Sequence, residues 1–132
     1  MYKEELMDHF KYPRNRNKLE NPDFSNDQNN VSCGDSISVE GKVVRDVKSG
    51  KICISELGFD GSGCVISQAT ASMLTEKCIG KTLDEALALN KDDILEMIDL
   101  QLGPTRLRCA LLCLQALQKG ILSYKDSMNK SD

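Results

Sequence analysis

The period of the apolar residues changes several times along the chain, and each change marks a different kind of element. Residues 2–12 carry large apolar side chains four positions apart, which predicts a helix that Pro13 ends. Residues 18–30 are rich in Asn, Asp and Pro without an apolar period, which is typical of a mobile loop. β-Branched residues over 36–47 and 51–60, separated by a Ser-Gly turn, predict an antiparallel hairpin. The pattern assigns no position to a third strand.

The second half of the chain has helical spacing throughout. Apolar residues over 65–79 recur about every 3.6 positions, and capping-box patterns open two shorter segments, 82–89 and 90–98. A leucine stripe over 106–119 predicts a last helix that Gly120 ends. Residues 123–132 are then expected to form a frayed tail. A helix, a hairpin and several helices in this order predict an α+β fold.

Length and charge restrict the class of protein. A chain of 132 residues is expected to form one domain, residues 1–132, with a core that needs no disulfides. A formal net charge of −3 without a long Lys/Arg run argues against nucleic acid as a partner. Acidic residues near the N-terminus and the lack of a long apolar stretch predict neither a secretory peptide nor a membrane span. A cytoplasmic protein is the expectation.

Six cysteines in a reducing compartment are either packing residues or ligands for metal or redox chemistry. Cys53 lies inside a predicted strand and Cys78 on the apolar side of a helix, so both are expected to be packing residues. Cys113, one turn beyond Cys109, fits either role. The single histidine, His9, has no second histidine to share a metal with and is expected to be a structural or surface residue rather than a catalytic one. No C-x-x-C motif is present, so a metal site must be assembled from distant segments.

Three of the cysteines lie where local chemistry favours a ligand. Cys33 and Asp35 flank a glycine that allows a sharp turn, so both side chains can face one point. Cys64 follows Gly-Ser-Gly at a predicted helix start, where the helix dipole favours a thiolate. Cys109 directly follows Arg108 and lies three positions after Arg106, and positive neighbours are expected to lower the pKa of its thiol. The candidate ligands are Cys33, Asp35, Cys64 and Cys109, and the supporting residues are Arg106 and Arg108.

Five motifs together resemble the iron–sulfur cluster scaffold family that includes IscU, SufU and the N-terminal domain of NifU. They are MDHFKYPRN at 7–15, SCGD at 32–35, GSGCVISQATASM at 61–73, GKTLDEAL at 80–87 and RLRC at 106–109. The resemblance implies a small antiparallel three-stranded sheet with helices packed on one face. It also implies that Cys33, Cys64 and Cys109 converge with Asp35 beside them.

The chain departs from the family pattern at several places. IscU-type members have histidine before the third cysteine, whereas this chain has Arg108, which has no lone pair to donate to a metal. The chaperone-recognition segment of IscU-type proteins is replaced by Leu-Gly-Pro-Thr-Arg at 102–106. Val31 replaces the usual proline before the Cys-Gly-Asp loop. The motifs resemble SufU, but the insertion typical of SufU is missing, so the chain lies between subfamilies.

Two functions follow from the resemblance. In the first, the protein is a scaffold that accepts sulfur from a cysteine desulfurase and holds a transient [2Fe–2S] cluster for transfer to apo iron–sulfur proteins. In the second, Zn²⁺ occupies the same ligands and the protein activates a desulfurase by accepting its persulfide, with Cys109 as the candidate acceptor. A zinc-stapled adaptor is a third, less favoured interpretation, because structural zinc sites normally use four Cys or His ligands. In each case the chain is a carrier rather than an enzyme, with a homodimer as a further expectation.

Overall fold

The computed structural model describes residues 3–130, and Tyr2 of the predicted first helix lies outside this range. The elements in chain order are α1 (Glu4–Lys11), β1 (Phe24–Asn30), β2 (Asp35–Arg45), β3 (Ile52–Ser62), α2 (Val65–Cys78), α3 (Leu83–Leu87), α4 (Lys91–Ile98) and α5 (Pro104–Lys130). The three strands form an antiparallel sheet in the order β1-β2-β3. The expected α+β fold is therefore confirmed.

The core lies between one face of the sheet and the two long helices. Burial alternates along β2, where Asp35, Ile37 and Val39 are buried and the residues between them are half-buried. Such alternation is typical of a sheet that packs on one face. α2 contacts α1, α4, α5 and the sheet, and polar as well as apolar residues of this helix are buried. α2 is thus the central element, and both of its ends are held in place by packing.

β1 corrects the prediction of a mobile loop over residues 18–30. Residues 24–30 pair with β2 along the whole strand, from Phe24 opposite Gly41 to Asn30 opposite Asp35. Asn, Asp and Gln have low strand propensity, so the local sequence gave no strand signal. The polar composition nevertheless suits an edge strand, where charged and polar side chains discourage pairing with other chains. Tertiary contact with α5 therefore overrides local propensity here.

The Phe24 ring packs β1 against both the middle strand and the last helix. Phe24 is 5% exposed, and a Cβ on Gly41 would lie 2.1 Å from its ring. A Cβ on Gly120, within α5, would lie 2.9 Å from the same ring. Both glycines therefore make room for Phe24, which fills the space between the middle strand and the last helix.

α5 also runs further than its sequence pattern predicts. The helix continues through Gly120 to Lys130, so the prediction of a helix end at Gly120 and of a frayed tail from residue 123 is wrong for the described residues. Gly120 does not end the helix. Its missing side chain leaves room for the close approach of β1. Beyond it, Tyr124 packs against the core and Lys125 forms an ion pair with Asp84. Ser131 and Asp132 lie outside the described residues.

The structure confirms the capping boxes that the sequence predicts for the two short helices. Thr82 with Glu85, and Asn90 with Asp93, form complete capping boxes at the starts of α3 and α4. The Gln118 amide of α5 donates to the backbone carbonyls at the end of α3, those of Ala86, Leu87 and Leu89. None of the described helices combines the length and the apolar character needed to cross a bilayer.

We expect Phe24→Ala to lower the free energy of unfolding by about 3–5 kcal/mol, since truncating a buried phenylalanine leaves a cavity in addition to the lost burial. Urea unfolding followed by circular dichroism measures this change. Tyr12→Ala serves as the control, because Tyr12 is 69% exposed and a surface substitution should change stability by no more than about 0.5 kcal/mol. Equal effects of the two substitutions would contradict the role given to the Phe24 ring.

Candidate metal centre

Two turns and the start of the last helix meet at one end of the molecule. The turn between β1 and β2 carries Cys33 and leads into Asp35, the turn between β3 and α2 carries Cys64, and the start of α5 carries Cys109. These positions are up to 76 residues apart in sequence, yet the Cys109 thiol donates to the Cys33 sulfur at 3.0 Å. The sheet register and the packing of α2 and α5 therefore create the site.

The Cys33 loop is shaped by backbone hydrogen bonds to one carbonyl. The carbonyl oxygen of Asn30 accepts from the N–H groups of Gly34 at 2.9 Å and of Cys33 at 3.3 Å. Gly34 has φ +71°, a conformation that favours glycine. Cys33 is half-buried, with its sulfur 3.7 Å from the same carbonyl oxygen. This tight turn places Cys33 and Asp35 on the same side, as the Cys-Gly-Asp pattern predicts.

Asp35 is a buried carboxylate at the first position of β2, 2% exposed. Its Oδ1 accepts from the backbone N–H of Cys64 at 3.1 Å, and its Oδ2 accepts from the Cys64 thiol at 3.2 Å. Burial by itself raises the pKa of Asp35, but hydrogen bonds from the side chains of Cys64, Ser67 and Cys109 and from the Cys64 N–H hold the net pKa below its ordinary value. The carboxylate is therefore ionised at neutral pH and able to act as a ligand.

Cys64 is the N-cap residue of α2, and its side chain is exposed. The preceding Gly63 has φ +142°, and a Cβ on it would lie 2.2 Å from Oδ1 of Asp35. The Gly-Ser-Gly turn thus leaves a space that the Asp35 carboxylate occupies. This space allows the Cys64 thiol to contact the Asp35 carboxylate.

Cys109 differs from its sequence-based expectation. It is 2% exposed, and burial together with hydrogen bonds to Cys33 and Asp35 and the charges of Cys64 and Asp35 raises the pKa of its thiol. The prediction of a lowered pKa is therefore wrong for the metal-free chain, because the burial of Cys109 and the contacts with Cys33 and Asp35 outweigh any effect of the arginines on its pKa. Arg106 and Arg108 are exposed residues at the start of α5.

The donor groups fit a thiolate-binding metal. Ligand atoms of Cys33, Asp35 and Cys109 all lie within 4.8 Å of one another. The Cys64 thiol is outside this set of three but contacts Oδ2 of Asp35. Zinc–sulfur bonds of about 2.3 Å place two tetrahedral sulfur ligands about 3.8 Å apart, and the sulfurs of Cys33 and Cys109, 3.0 Å apart, lie near this separation. Three soft thiols with one carboxylate suit zinc or an iron–sulfur cluster rather than magnesium or calcium.

The remaining cysteines and the histidine lie outside this set. Cys78 and Cys113 are buried in the core; burial raises the pKa of Cys78 to about 11 and that of Cys113 still further. Cys53 is half-buried in β3. His9 is 4% exposed, and its Nδ1 lies 2.8 Å from the Ser72 hydroxyl, which attaches α1 to α2. The burial of Cys78 agrees with the packing role expected from the sequence, and the burial of Cys113 favours packing among the two roles that the sequence left open.

Sequence reasoning missed two polar residues next to the site, Ser67 and Gln68. The Ser67 hydroxyl donates to the Cys64 carbonyl oxygen at 3.2 Å, and the Gln68 amide donates to the Ser67 hydroxyl at 3.1 Å. Both residues lie in the first turn of α2, shortly after Cys64. Polar residues at these positions of the sequence indicate side chains close to the predicted site.

We expect Gly63→Ala to weaken zinc binding at least about 10-fold, the loss typical when the support of a ligand is removed. The added methyl group requires both a strained backbone and displacement of the Asp35 carboxylate. Competition with a chromophoric zinc chelator measures the affinity. Gly103→Ala is the control, because a Cβ there meets nothing within 4 Å. Wild-type zinc affinity in a folded Gly63→Ala protein would refute this account of the turn.

Comparison with known proteins places the chain among iron–sulfur assembly proteins. The sequence matches the family described as NifU-like N terminal domain over residues 1–131. It is 34% identical over 138 residues to the zinc-dependent sulfurtransferase SufU of Bacillus subtilis, covering 92% of this chain and 89% of that protein. It is 33% identical over 127 residues to the iron–sulfur cluster assembly scaffold protein IscU of Escherichia coli K12, covering 94% of each.

Solved structures agree with this placement. The crystal structure of FiSufU from Fervidobacterium islandicum AW-1, named for iron–sulfur cluster assembly in the SUF system, superimposes with a TM-score of 0.74 at 27% identity, covering 91% of this chain and 96% of that one. The N-terminal NifU-like protein of Brucella abortus shares the fold, with a TM-score of 0.73 at 19% identity and 94% of each chain covered. The chain therefore belongs to the NifU-like N-terminal domain family, whose relatives include the IscU and SufU proteins of iron–sulfur cluster assembly.

Proposed function

We propose that this protein is an assembly scaffold that holds a transient [2Fe–2S] cluster on Cys33, Asp35, Cys64 and Cys109. The observation that carries the proposal is the set of three thiols around one ionised, buried carboxylate. Thiolates bind iron and sulfide well, whereas a carboxylate is a harder and poorer ligand for the cluster. Asp35 would then be the ligand that lets the cluster leave for an acceptor protein.

The residues of the chain have distinct roles in this proposal. The cluster is cargo: sulfur comes from a cysteine desulfurase, and the assembled cluster passes to apo iron–sulfur proteins. The half-buried Cys33 and the exposed Cys64 lie at the accessible side of the site, while Cys109 anchors it from within. Arg106 and Arg108, both exposed at the start of α5, would attract the anionic sulfur species. The protein itself binds and releases, and we assign no catalysed reaction to it.

The metal and acid-labile sulfide content of protein purified without oxygen tests the scaffold function, with Asp35→Ala as the comparison. We expect iron with matching sulfide, retained longer by Asp35→Ala and transferred more slowly to an acceptor, because the ligand that favours release is gone. Asp27→Ala, which removes an exposed carboxylate of β1 and leaves the four candidate ligands in place, serves as the control. About one zinc per chain without sulfide, or unchanged transfer by Asp35→Ala, would argue against a cluster scaffold.

A second candidate function is zinc-bound sulfur acceptance from a cysteine desulfurase. The similarity to a protein named as a zinc-dependent sulfurtransferase favours it, as does the close approach of Cys33, Asp35 and Cys109, which suits a single ion. Zinc would hold the thiols as thiolates at neutral pH, and one of them must leave the metal to accept sulfur.

The exposure of the three thiols bears on which one accepts sulfur first. Sequence reasoning names Cys109, but this thiol is 2% exposed, whereas Cys64 is exposed. We therefore propose that sulfur enters at Cys64 and then passes to Cys109, whose thiolate attacks the outer sulfur of the Cys64 persulfide while Cys64 leaves as a thiolate. In the entry step the Cys64 thiolate attacks the outer sulfur of the desulfurase persulfide. A new S–S bond forms to Cys64 as the original S–S bond breaks and the desulfurase cysteine leaves as a thiolate.

Peptide mass spectrometry after incubation with a desulfurase and its cysteine substrate tests this order. We expect Cys64→Ser to carry no added sulfur and to lose stimulation of the desulfurase, and Cys109→Ser to keep the added sulfur on Cys64. Cys53→Ser is the control, since Cys53 lies in β3 outside the set of candidate ligands. Normal stimulation by Cys64→Ser would exclude Cys64 as the entry point, and a persulfide found on Cys109 in that variant would restore the sequence-based assignment.

A further inference from the structure

The thiols of Cys33 and Cys109 are in direct contact in the metal-free chain. Their sulfur atoms lie 3.0 Å apart, although the residues are 76 positions apart in sequence. Both are free cysteines. A disulfide has a sulfur–sulfur bond of about 2.05 Å, so a further approach of about 1 Å would join them. The site therefore contains a pair of thiols placed to react with each other, and the Cys64 thiol lies outside the group whose ligand atoms are within 4.8 Å of one another.

Access to the two thiols of this pair is unequal. Cys109 is 2% exposed, whereas Cys33 is half-buried. A thiol from solvent or from another protein therefore has poor access to the Cys109 sulfur, while Cys33 already contacts it. Groups held about 3–3.5 Å apart react far faster than the same groups diffusing in solution. A reaction at the Cys109 sulfur is thus expected to involve Cys33 in preference to an external thiol.

The form in which sulfur arrives sets a requirement for electrons. A desulfurase persulfide delivers sulfur at the oxidation level of the element, whereas iron–sulfur clusters contain sulfide. Each sulfur atom must therefore gain two electrons before it enters a cluster, and two thiols that become one disulfide supply two electrons. The contact between Cys33 and Cys109 provides such a pair of thiols.

We infer that Cys33 converts sulfur carried by Cys109 into free sulfide, with the two thiols as the reductant. The inference rests on the proposed entry of sulfur at Cys64 and its passage to Cys109, and it concerns the chain without a bound metal. The Cys33 thiol gives up its proton and attacks the inner sulfur of the Cys109 persulfide. A disulfide between Cys33 and Cys109 forms as the persulfide S–S bond breaks. The outer sulfur keeps the electron pair of that bond, takes the proton and leaves as HS⁻.

Geometry and leaving group both favour attack on the inner sulfur. The inner sulfur is the Sγ atom of Cys109, which Cys33 contacts at 3.0 Å. Attack at this atom expels hydrosulfide, which is a weaker base than a thiolate and therefore leaves more readily. Attack on the outer sulfur would only move the persulfide from one cysteine to the other and would release no sulfide.

The step is stoichiometric, and it is complete after one sulfur atom. A dithiol protein has to reduce the disulfide before the chain can accept sulfur again. A zinc ion in the site is expected to block the step, because zinc–thiolate bonds occupy both sulfurs and keep tetrahedral ligands about 3.8 Å apart. Metal in the site would thus determine whether sulfur is retained as persulfide or released as sulfide.

A single-turnover experiment without small thiols tests the inference in the full chain. A cysteine desulfurase is loaded with its persulfide, freed of cysteine by desalting and mixed without oxygen with the metal-free protein. Sulfide is measured by the methylene-blue reaction, and the disulfide by peptide mass spectrometry without reduction. We expect about one sulfide for each disulfide between Cys33 and Cys109. Loading the protein with zinc beforehand should lower the sulfide yield at least about 10-fold.

Cys33→Ser separates sulfur acceptance from sulfide release. This variant should still accept sulfur and retain it as a persulfide on Cys109, while its sulfide yield falls at least about 10-fold because the attacking thiol is absent. Cys53→Ser is the matched control, since Cys53 is also half-buried but lies in β3 outside the thiol pair. Its sulfide yield should equal that of wild type.

Failure of the inference and failure of the proposed function give different results. A persulfide that stays on wild-type Cys109 without sulfide or disulfide would leave sulfur acceptance intact and overturn the role of Cys33. Equal sulfide release by Cys33→Ser, release without the disulfide, or undiminished release from zinc-loaded protein would overturn that role as well. If wild type gains neither persulfide nor sulfide, the proposed sulfur acceptance is wrong and so is the inference. Should Cys33→Ser fail to fold, judged by circular dichroism, the ratio of sulfide to disulfide in wild type and its response to zinc decide.

Discussion

The buried carboxylate of Asp35 is the contact on which the arrangement of the site depends. It lies at the start of β2 and accepts hydrogen bonds from the backbone and thiol of Cys64 at the start of α2. It also lies within 4.8 Å of the Cys109 sulfur at the start of α5. One ionised group therefore joins three segment ends that are distant in sequence. A buried charge is tolerated only when its hydrogen bonds are satisfied, so the carboxylate also constrains the turn that surrounds it.

The rest of the fold serves to bring these ends together. Phe24 holds the edge strand between Gly41 and Gly120, and that strand leads directly into the Cys33 turn. α5 spans the molecule, with Cys109 near its beginning and the Phe24 contact in its second half. The position of Cys33 relative to Cys109 is therefore determined by packing far from either thiol. Substitutions that disturb the packing of β1 are therefore expected to displace Cys33 as well.

In the metal-free site a protonated Cys109 thiol lies beside an ionised carboxylate. Burial and the contacts with Cys33 and Asp35 raise the pKa of Cys109, while hydrogen bonds outweigh the effect of burial and hold the pKa of Asp35 below its ordinary value. A bound metal would therefore displace the Cys109 proton and replace the hydrogen bond from the Cys64 thiol to Asp35. A gradient of exposure, from Cys64 through Cys33 to Cys109, gives the three thiols different access to a partner protein. This combination suits a site that is loaded and emptied rather than one that is permanently closed.

The sequence by itself determined the features that depend on neighbours in the chain. The hairpin, the two capping boxes and the Cys33-Gly34-Asp35 turn all follow from residue types and spacing, and the motifs identified the family. The tertiary structure decided the rest. Local propensity argues against a strand at residues 24–30 and for a helix end at Gly120, and both predictions failed because the Phe24 ring packs on Gly41 and α5. The pKa of Cys109 likewise depends on burial and on Asp35, 74 positions away, rather than on the adjacent arginines. Such effects arise from contacts between distant segments, which a local sequence pattern does not contain.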